Sequence, residues 1–166
     1  MIRLTKETRN YFFAPENQLA LKAEPGTKII FETLDALDER IHLDGDPAGK
    51  VDLNHCNAIT GPVYINGAKP GDTLDAEILD IHPWDWGAAL IIPGFGFLQD
   101  SITKPYTKVV RIEKDGSMRF GDKVHLPGRA MIGTIGVAPT KAFTTLSSGP
   151  HDGNLYTTDK WLWLYT

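Results

Sequence analysis

Met131 to Asn154 reads MIGTIGVAPTKAFTTLSSGPHDGN, and the rest of the chain is best read outward from it. Ile132, Ile135 and Val137 predict a buried strand, with Gly133 and Gly136 letting other backbone come close. Pro139 ends that strand. A Thr- and Ser-rich loop then delivers His151 and Asn154 inside Gly149-Pro150-His151-Asp152-Gly153-Asn154. Glycines around an imidazole, a carboxylate and an amide suit a place where backbone turns tightly and polar groups converge. His151 is therefore the first candidate for chemistry. The rival reading is an exposed loop whose Gly-Pro and Asp-Gly pairs simply make turns, and composition alone favours it.

The pattern of that strand recurs along the chain. The 16 Gly and 11 Pro separate short runs rich in β-branched and aromatic residues. Strands are predicted at 19–23, 28–33, 63–65, 72–81 and 88–92, the last wholly apolar and so buried on both faces. Residues 107–113 and 118–120 form a hairpin joined by Asp115-Gly116. Nowhere do apolar residues keep helical spacing for three turns. An all-β sandwich or barrel is the natural solution. Residues 23–35 also echo residues 68–80. Both carry a Pro-Gly turn leading into a strand, then Glu, then Leu-Asp. Pro presets the first turn position and Gly supplies the positive φ that a type II turn needs at the second. Similarity between any two hairpins explains the echo better than duplication does.

The totals narrow the function classes. A chain of 166 residues with 42% hydrophobic and 23% charged residues buries a real core and is not disordered by composition. Its net charge of −4 and lack of a basic run argue against nucleic acid as a partner. Cys56 has no cysteine to pair with inside the chain, which suits a reducing compartment. The opening MIRLTKETRN lacks the apolar stretch of a signal peptide, and no segment is apolar for the ~20 residues a membrane helix needs. A soluble, cytoplasmic protein with no membrane partner is expected.

Three loops stand out. Asp38 to Asn57 is long and polar and carries His42 and His55. His82 to Gly87 packs two tryptophans beside Asp85, and Pro93 to Leu98 sets glycines between Phe95 and Phe97. The aromatic pairs suit either a wall of a small pocket or a cap on a sandwich core. No histidine pair lies at metal-site spacing, so a metal site needs ligands from distant segments. His55 and Cys56 are neighbours, and on a strand they would face opposite ways; Cys56 reads as a small buried residue.

Asn57-Ala58-Ile59-Thr60-Gly61-Pro62-Val63-Tyr64-Ile65-Asn66-Gly67-Ala68-Lys69-Pro70-Gly71-Asp72-Thr73-Leu74 looks like the N-x-x-TGP…GA-x-PGD-x-L run of the acetamidase/formamidase family. Pro93 to Gly96 resembles its PG-[FL]-G element, Ile132 to Pro139 its IGVIGVAP strand, and His151 to Asn154 its HGGN. Glu24-Pro25-Gly26 followed by Phe31-Glu32 and Asp35 fits its opening. Five motifs in the right order make the resemblance specific.

The resemblance implies a β-sandwich with jelly-roll character plus the start of a second β-rich part, divided here as residues 1–85 and 86–166. It implies hydrolysis of a small linear amide of the formamide or acetamide type to carboxylate and ammonia, assisted by a divalent metal, zinc above all. His151, Asn154 and Asp35 would be catalytic, His151 and Asp35 would hold the metal, and Asn57 and Thr60 would contact substrate. Departures accompany the matches. Tyr156 stands where the family has an acid, Asp152 replaces a glycine and Ala58 a proline. Family chains also continue through a GD-x-H…GDGE region that would add a second histidine and an acid. This chain instead ends in Asp159-Lys160-Trp161-Leu162-Trp163-Leu164-Tyr165-Thr166, unlike the family. The expectations are a truncated reading frame, little or no amidase activity from this chain alone, open sheet edges that are a hazard for aggregation or for pairing with another chain, and a homo-oligomer. The competing class is a non-catalytic β-sandwich module that binds a small molecule or carbohydrate through Trp84, Trp86, Phe95 and Phe97.

Overall fold

Short β-branched runs cut by Pro and Gly do become strands. The computed structural model describes residues 1–47, 52, 55–94, 97, 100–139, 143–144 and 157–165. In chain order the strands begin with β1 (Ile2–Leu4), β2 (Arg9–Asn10), β3 (Phe12–Phe13), β4 (Leu21–Ala23) and β5 (Ile29–Phe31). Next come β6 (Ile59–Ile65), β7 (Trp86–Ile91), β8 (Tyr106–Ile112), β9 (Met118–Phe120) and β10 (Val124–Leu126). The last are β11 (Thr134–Pro139), β12 (Phe143–Thr144) and β13 (Thr157–Tyr165). Helical conformation among the described residues is confined to the 3-10 turn Lys6–Thr8 and to His55. The fold is all-β.

The chain groups into two units that interleave along the sequence. The first holds residues 1–38, 53–77 and 132–166, and the second residues 39–52 and 78–131. The expected division into 1–85 and 86–166 follows chain order, whereas these units cross it twice.

In the first unit β6 is the central strand. β4 pairs with it in parallel from Leu21↔Val63 to Ala23↔Ile65, and β2 pairs antiparallel at Arg9↔Thr60 and Asn10↔Ile59. β13 takes its other edge, with Leu162 opposite Val63, and joins it to β11. The tail Trp161 to Leu164 finds both partners earlier in the chain. β1 lies parallel to β5, and β3 antiparallel to β12. Leu4, Ala23 and Val63 are buried together, with Ala20, Leu21, Ile29, Phe31 and Ile65 packed around them. Burying such side chains contributes about 1.5–3 kcal/mol each for the larger ones.

β11 contradicts one expectation of phase. Ile135 is exposed at 38%, while Ala138 is fully buried. Gly136 lies against the Phe13 ring so closely that a Cβ there would sit 2.6 Å from Phe13 Cε1. Ala138 and the ring-packed Gly136 thus face inward and Ile135 does not, while Val137 is half-buried.

The second unit is an antiparallel sheet in the order β10-β9-β8-β7. The hairpin at Asp115-Gly116 forms as expected. Gly116 has φ +81°, and Asp115 Oδ1 accepts from Ser117 N at 2.9 Å and Ser117 Oγ at 2.7 Å. β7 is not buried on both faces: Ile91 and Ala89 are exposed. Among the described residues it is also an edge strand.

Both halves of the Pro-Gly echo are turns. Thr27 N donates to Glu24 O at 3.1 Å and Asp72 N to Lys69 O at 3.0 Å, with φ +80° at Gly26 and +95° at Gly71. Their sequels differ. The first leads into β5, whereas the strand expected at 72–81 enters no ladder with any described residue.

Candidate active site

The site is built where the exit of β5 meets the start of β6. Glu32 N donates to Leu4 O at 2.9 Å, continuing the β1–β5 pairing by one residue. Thr60, 1% exposed, donates its hydroxyl to Glu32 O at 2.7 Å. That bond holds the chain three residues before Asp35 and satisfies a buried hydroxyl that would otherwise cost about 1–3 kcal/mol. Asp35 Oδ1 accepts from Leu37 N at 3.0 Å, a local turn that fixes one carboxylate oxygen. Asn57 N donates to Ala36 O at 2.9 Å. Asp35, Asn57 and Thr60, singled out from sequence, are therefore brought onto adjoining stretches of backbone. His151 and Asn154 lie outside the described residues.

Four further residues gather here. Tyr11, between β2 and β3, donates its hydroxyl to Asp38 Oδ1 at 2.7 Å. Arg9 Nε donates to Tyr11 Oη at 3.3 Å and lies 3.9 Å from the same carboxylate oxygen. The Tyr11 ring meets the His55 ring edge-on, with centroids 4.9 Å apart. Burial, then the bond to Asp38, raises the Tyr11 phenol above its ordinary value, against the opposing bond from Arg9. A neutral phenol is thus held as a donor beside an acid.

The backbone is strained at the same place. Asp38, Glu39 and Asn57 have φ of +58°, +57° and +57°, and they are the non-glycine residues recorded in the left-handed region. Such residues cost of order 1–3 kcal/mol each in unfavourable surroundings, less for Asp and Asn, and tend to collect at functional sites. Sequence reading marked Asp38 and His55 only as members of a long polar loop and missed Tyr11 and Arg9, because no spacing rule links 9–11 to 38 and 55. Arg9-x-Tyr11 was the available signal, since alternation puts cation and phenol on one face of an extended segment.

A metal held by Asp35 and His151 fits the described residues only in part. Asp35 offers a carboxylate oxygen of the kind divalent ions accept. Among the described residues no group of three or more His, Cys, Asp or Glu is arranged to hold an ion. The described part of the chain does not by itself make a metal site.

The wider molecule accords with the motifs. The family model for the acetamidase/formamidase family matches residues 3–151, so the chain belongs to that family. It is similar to the crystal structure of an acetamidase from Bacillus halodurans, with TM-score 0.89 and 34% identity over 98% of this chain and 60% of that one. It is 29% identical over 143 residues to an acetamidase of Mycolicibacterium smegmatis, covering 76% of this chain and 35% of the relative. It is 28% identical over 157 residues to a formamidase of Methylophilus methylotrophus, covering 87% and 38%. The chain spans little more than a third of the length of these two curated relatives.

Proposed function

We propose that this chain carries part of the machinery of a C–N hydrolase acting on small linear amides of the formamide or acetamide type, giving a carboxylate and ammonia. The observation that carries the reading is family membership over residues 3–151, joined to a strained, hydrogen-bonded cluster around Asp35. Amides resist attack, so the reaction needs an activated water and a polarised carbonyl. A divalent ion, zinc above all, would supply both when bound.

The chain's own residues do the positioning. Leu37 N holds one Asp35 oxygen, and Ala36 O is tied to Asn57, so the carboxylate is fixed before any ligand arrives. Tyr11 and Arg9 anchor Asp38 and with it the far end of the same loop. Thr60 braces the near end. His151 and Asn154 complete the reading as imidazole and orienting amide. The same reading places the reaction in the cytoplasm and leaves membranes and nucleic acid without a role; no helix among the described residues is long and apolar enough to cross a membrane.

The test is metal content and ammonia release together. Purified chain is dialysed against zinc, its metal measured, and ammonia followed with formamide and acetamide. The reading requires bound divalent ion that is lost in Asp35→Ala and in His151→Ala, with weak ammonia release from this chain alone. Metal content unchanged in both variants would sink it. The module reading has one observation of its own, since Trp84 is exposed and meets Trp86 edge-on with centroids 5.9 Å apart. Sugar-dependent tryptophan fluorescence without bound metal would favour that reading.

A further inference from the structure

Residues 73–78 carry the alternation of a half-buried strand yet lie in no ladder with any described residue. Leu74, Ala76 and Ile78 alternate with Thr73, Asp75 and Glu77, which is the period of a sheet with one apolar face. Every residue from 71 to 80 is exposed, Leu74 and Ile78 among the large apolar ones. A second feature in the molecule has the complementary pattern. Among the described residues β10 is the edge of its sheet, paired on one side with β9. Val124 and Leu126 point to one face, both exposed, and Lys123 and His125 alternate with them.

Charge explains why the two features suit each other. Arg111 stands directly across from Arg119, and Arg119 from His125, so one face carries cationic residues on three adjacent strands. Like charges directly opposite are destabilising unless an anion offsets them. Glu113 reaches Arg119 at 3.0 Å. No carboxylate among the described residues pairs with Arg111 or His125. Within 73–78, Asp75 and Glu77 fall in one row and Leu74, Ala76 and Ile78 in the other. β7, the other edge, reads Trp86-Gly87-Ala88-Ala89-Leu90-Ile91 and offers no cation.

We propose that residues 73–78 of one copy add as a fifth strand to the β10 edge of a second copy, each copy giving its segment to the other. Addition of a strand to an open edge supplies main-chain hydrogen bonds, and side-chain alternation supplies the register. Antiparallel pairing, as elsewhere in that sheet, sets Asp75 opposite His125 and Glu77 opposite Lys123. The same register sets Leu74 against Leu126 and Ala76 against Val124 on the other face. Two such junctions about a two-fold axis close the assembly at two chains. Pairing of the segment with a copy of itself would instead bring acids against acids.

Charge exchange tests this. Sedimentation equilibrium of the wild-type chain is expected to show a dimer that weakens as salt rises. Asp75→Lys/Glu77→Lys and Lys123→Glu/His125→Glu should each weaken dimerisation by about tenfold or more. An equimolar mixture of the two double variants should restore it, because both junctions in the mixed dimer then join opposite charges. Hydrogen exchange at residues 73–78 should slow as concentration rises. A wild-type monomer at every concentration, a dimer indifferent to both double variants, or a mixture no more dimeric than its components overturns the proposal. Circular dichroism of each variant shows that it remains folded.

Discussion

Two loops of this chain use aspartate in the same way and with opposite consequences. In the first unit, Asp35 takes Leu37 N and Asp38 takes the Tyr11 hydroxyl. In the second unit, Asp46 Oδ2 takes His42 N at 2.9 Å and Leu43 N at 3.0 Å, while Asp44 takes Val109 N and the Lys108 ammonium. The chemistry is one carboxylate per turn in both. What differs is the ground beneath. The first loop adjoins Leu34, Cys56, Ala58, Ile59 and Thr60, all buried, and it holds Asp38 and Asn57 in left-handed backbone. In the second loop Leu43, Asp44 and Gly45 are exposed, and only Ile41 and Thr107 are fully buried in that unit among the described residues. A packed core can hold strained backbone in place; a solvated clamp only tethers a loop. Two of the three left-handed residues, Asp38 and Asn57, belong to the first unit and Glu39 is the first residue of the second, so strain favours the first loop as the place for a site.

The largest expected effect removes that core. Ile59→Ala empties a fully buried position in β6 beneath the Asp35 loop and should cost about 2–5 kcal/mol. Urea unfolding measures it. Hydrogen exchange sharpens the comparison: protection should fall in the first unit with Ile59→Ala and in the second with Ile41→Ala. Loss of protection in both units from Ile59→Ala alone would show that the two loops do not stand on separate ground.

Gly136→Ala is next. A methyl at that position meets Phe13 Cε1 at 2.6 Å, so the ring or the strand must shift, costing about 1–3 kcal/mol. The fall in melting temperature reports it. Phe13→Leu in the same chain should recover part of the loss, because a smaller side chain yields the space.

Much of this was legible beforehand. Pro-Gly pairs predicted both turns, and Asp115-Gly116 predicted the β8–β9 hairpin, because those positions need backbone that few residues adopt. The TGP run and Asp35 marked the segments that meet at the site. The inward face of β11 was not legible. Its glycine receives a ring from β3, more than a hundred residues earlier, and no local pattern encodes that. The fate of residues 72–81 was hidden for the same reason, since alternation announces a strand and is silent about its partner. Tyr11 escaped because its role depends on a loop whose course is set by tertiary contacts.

Tyr11→Phe tests the strained loop with a smaller change. It removes one hydrogen bond to a half-buried carboxylate, worth about 1.5–3 kcal/mol for a charged acceptor. The phenol's raised value means its contribution is complete below the ordinary 10.0 and is lost as pH rises through the folded value. Wild type and Tyr11→Phe should therefore converge in stability at strongly alkaline pH. Phenolate absorbance of the folded chain should show one tyrosine titrating late, and that late step should vanish in the variant.

Asp44→Asn should have the smallest effect, and its pH dependence distinguishes the exposed clamp from the buried one. The Lys108 ammonium, then Val109 N, hold Asp44 below its ordinary 3.8, and Asp44 in turn raises Lys108 above 10.5. A depressed acid contributes stability above its unfolded value, and loses it as pH falls through the folded one. A raised lysine contributes fully below its unfolded value and loses that as pH climbs through the folded one. Both contributions are therefore present at neutral pH and fade at the two extremes. Asparagine keeps an oxygen for Val109 N but cannot attract the ammonium. The wild-type advantage should be small at neutral pH, shrink with added salt, and disappear when pH falls well below 3.8. Thermal melts across that range measure it. An advantage that survived both high salt and acid would mean that the clamp acts through packing, and the contrast between the two loops would then be one of degree.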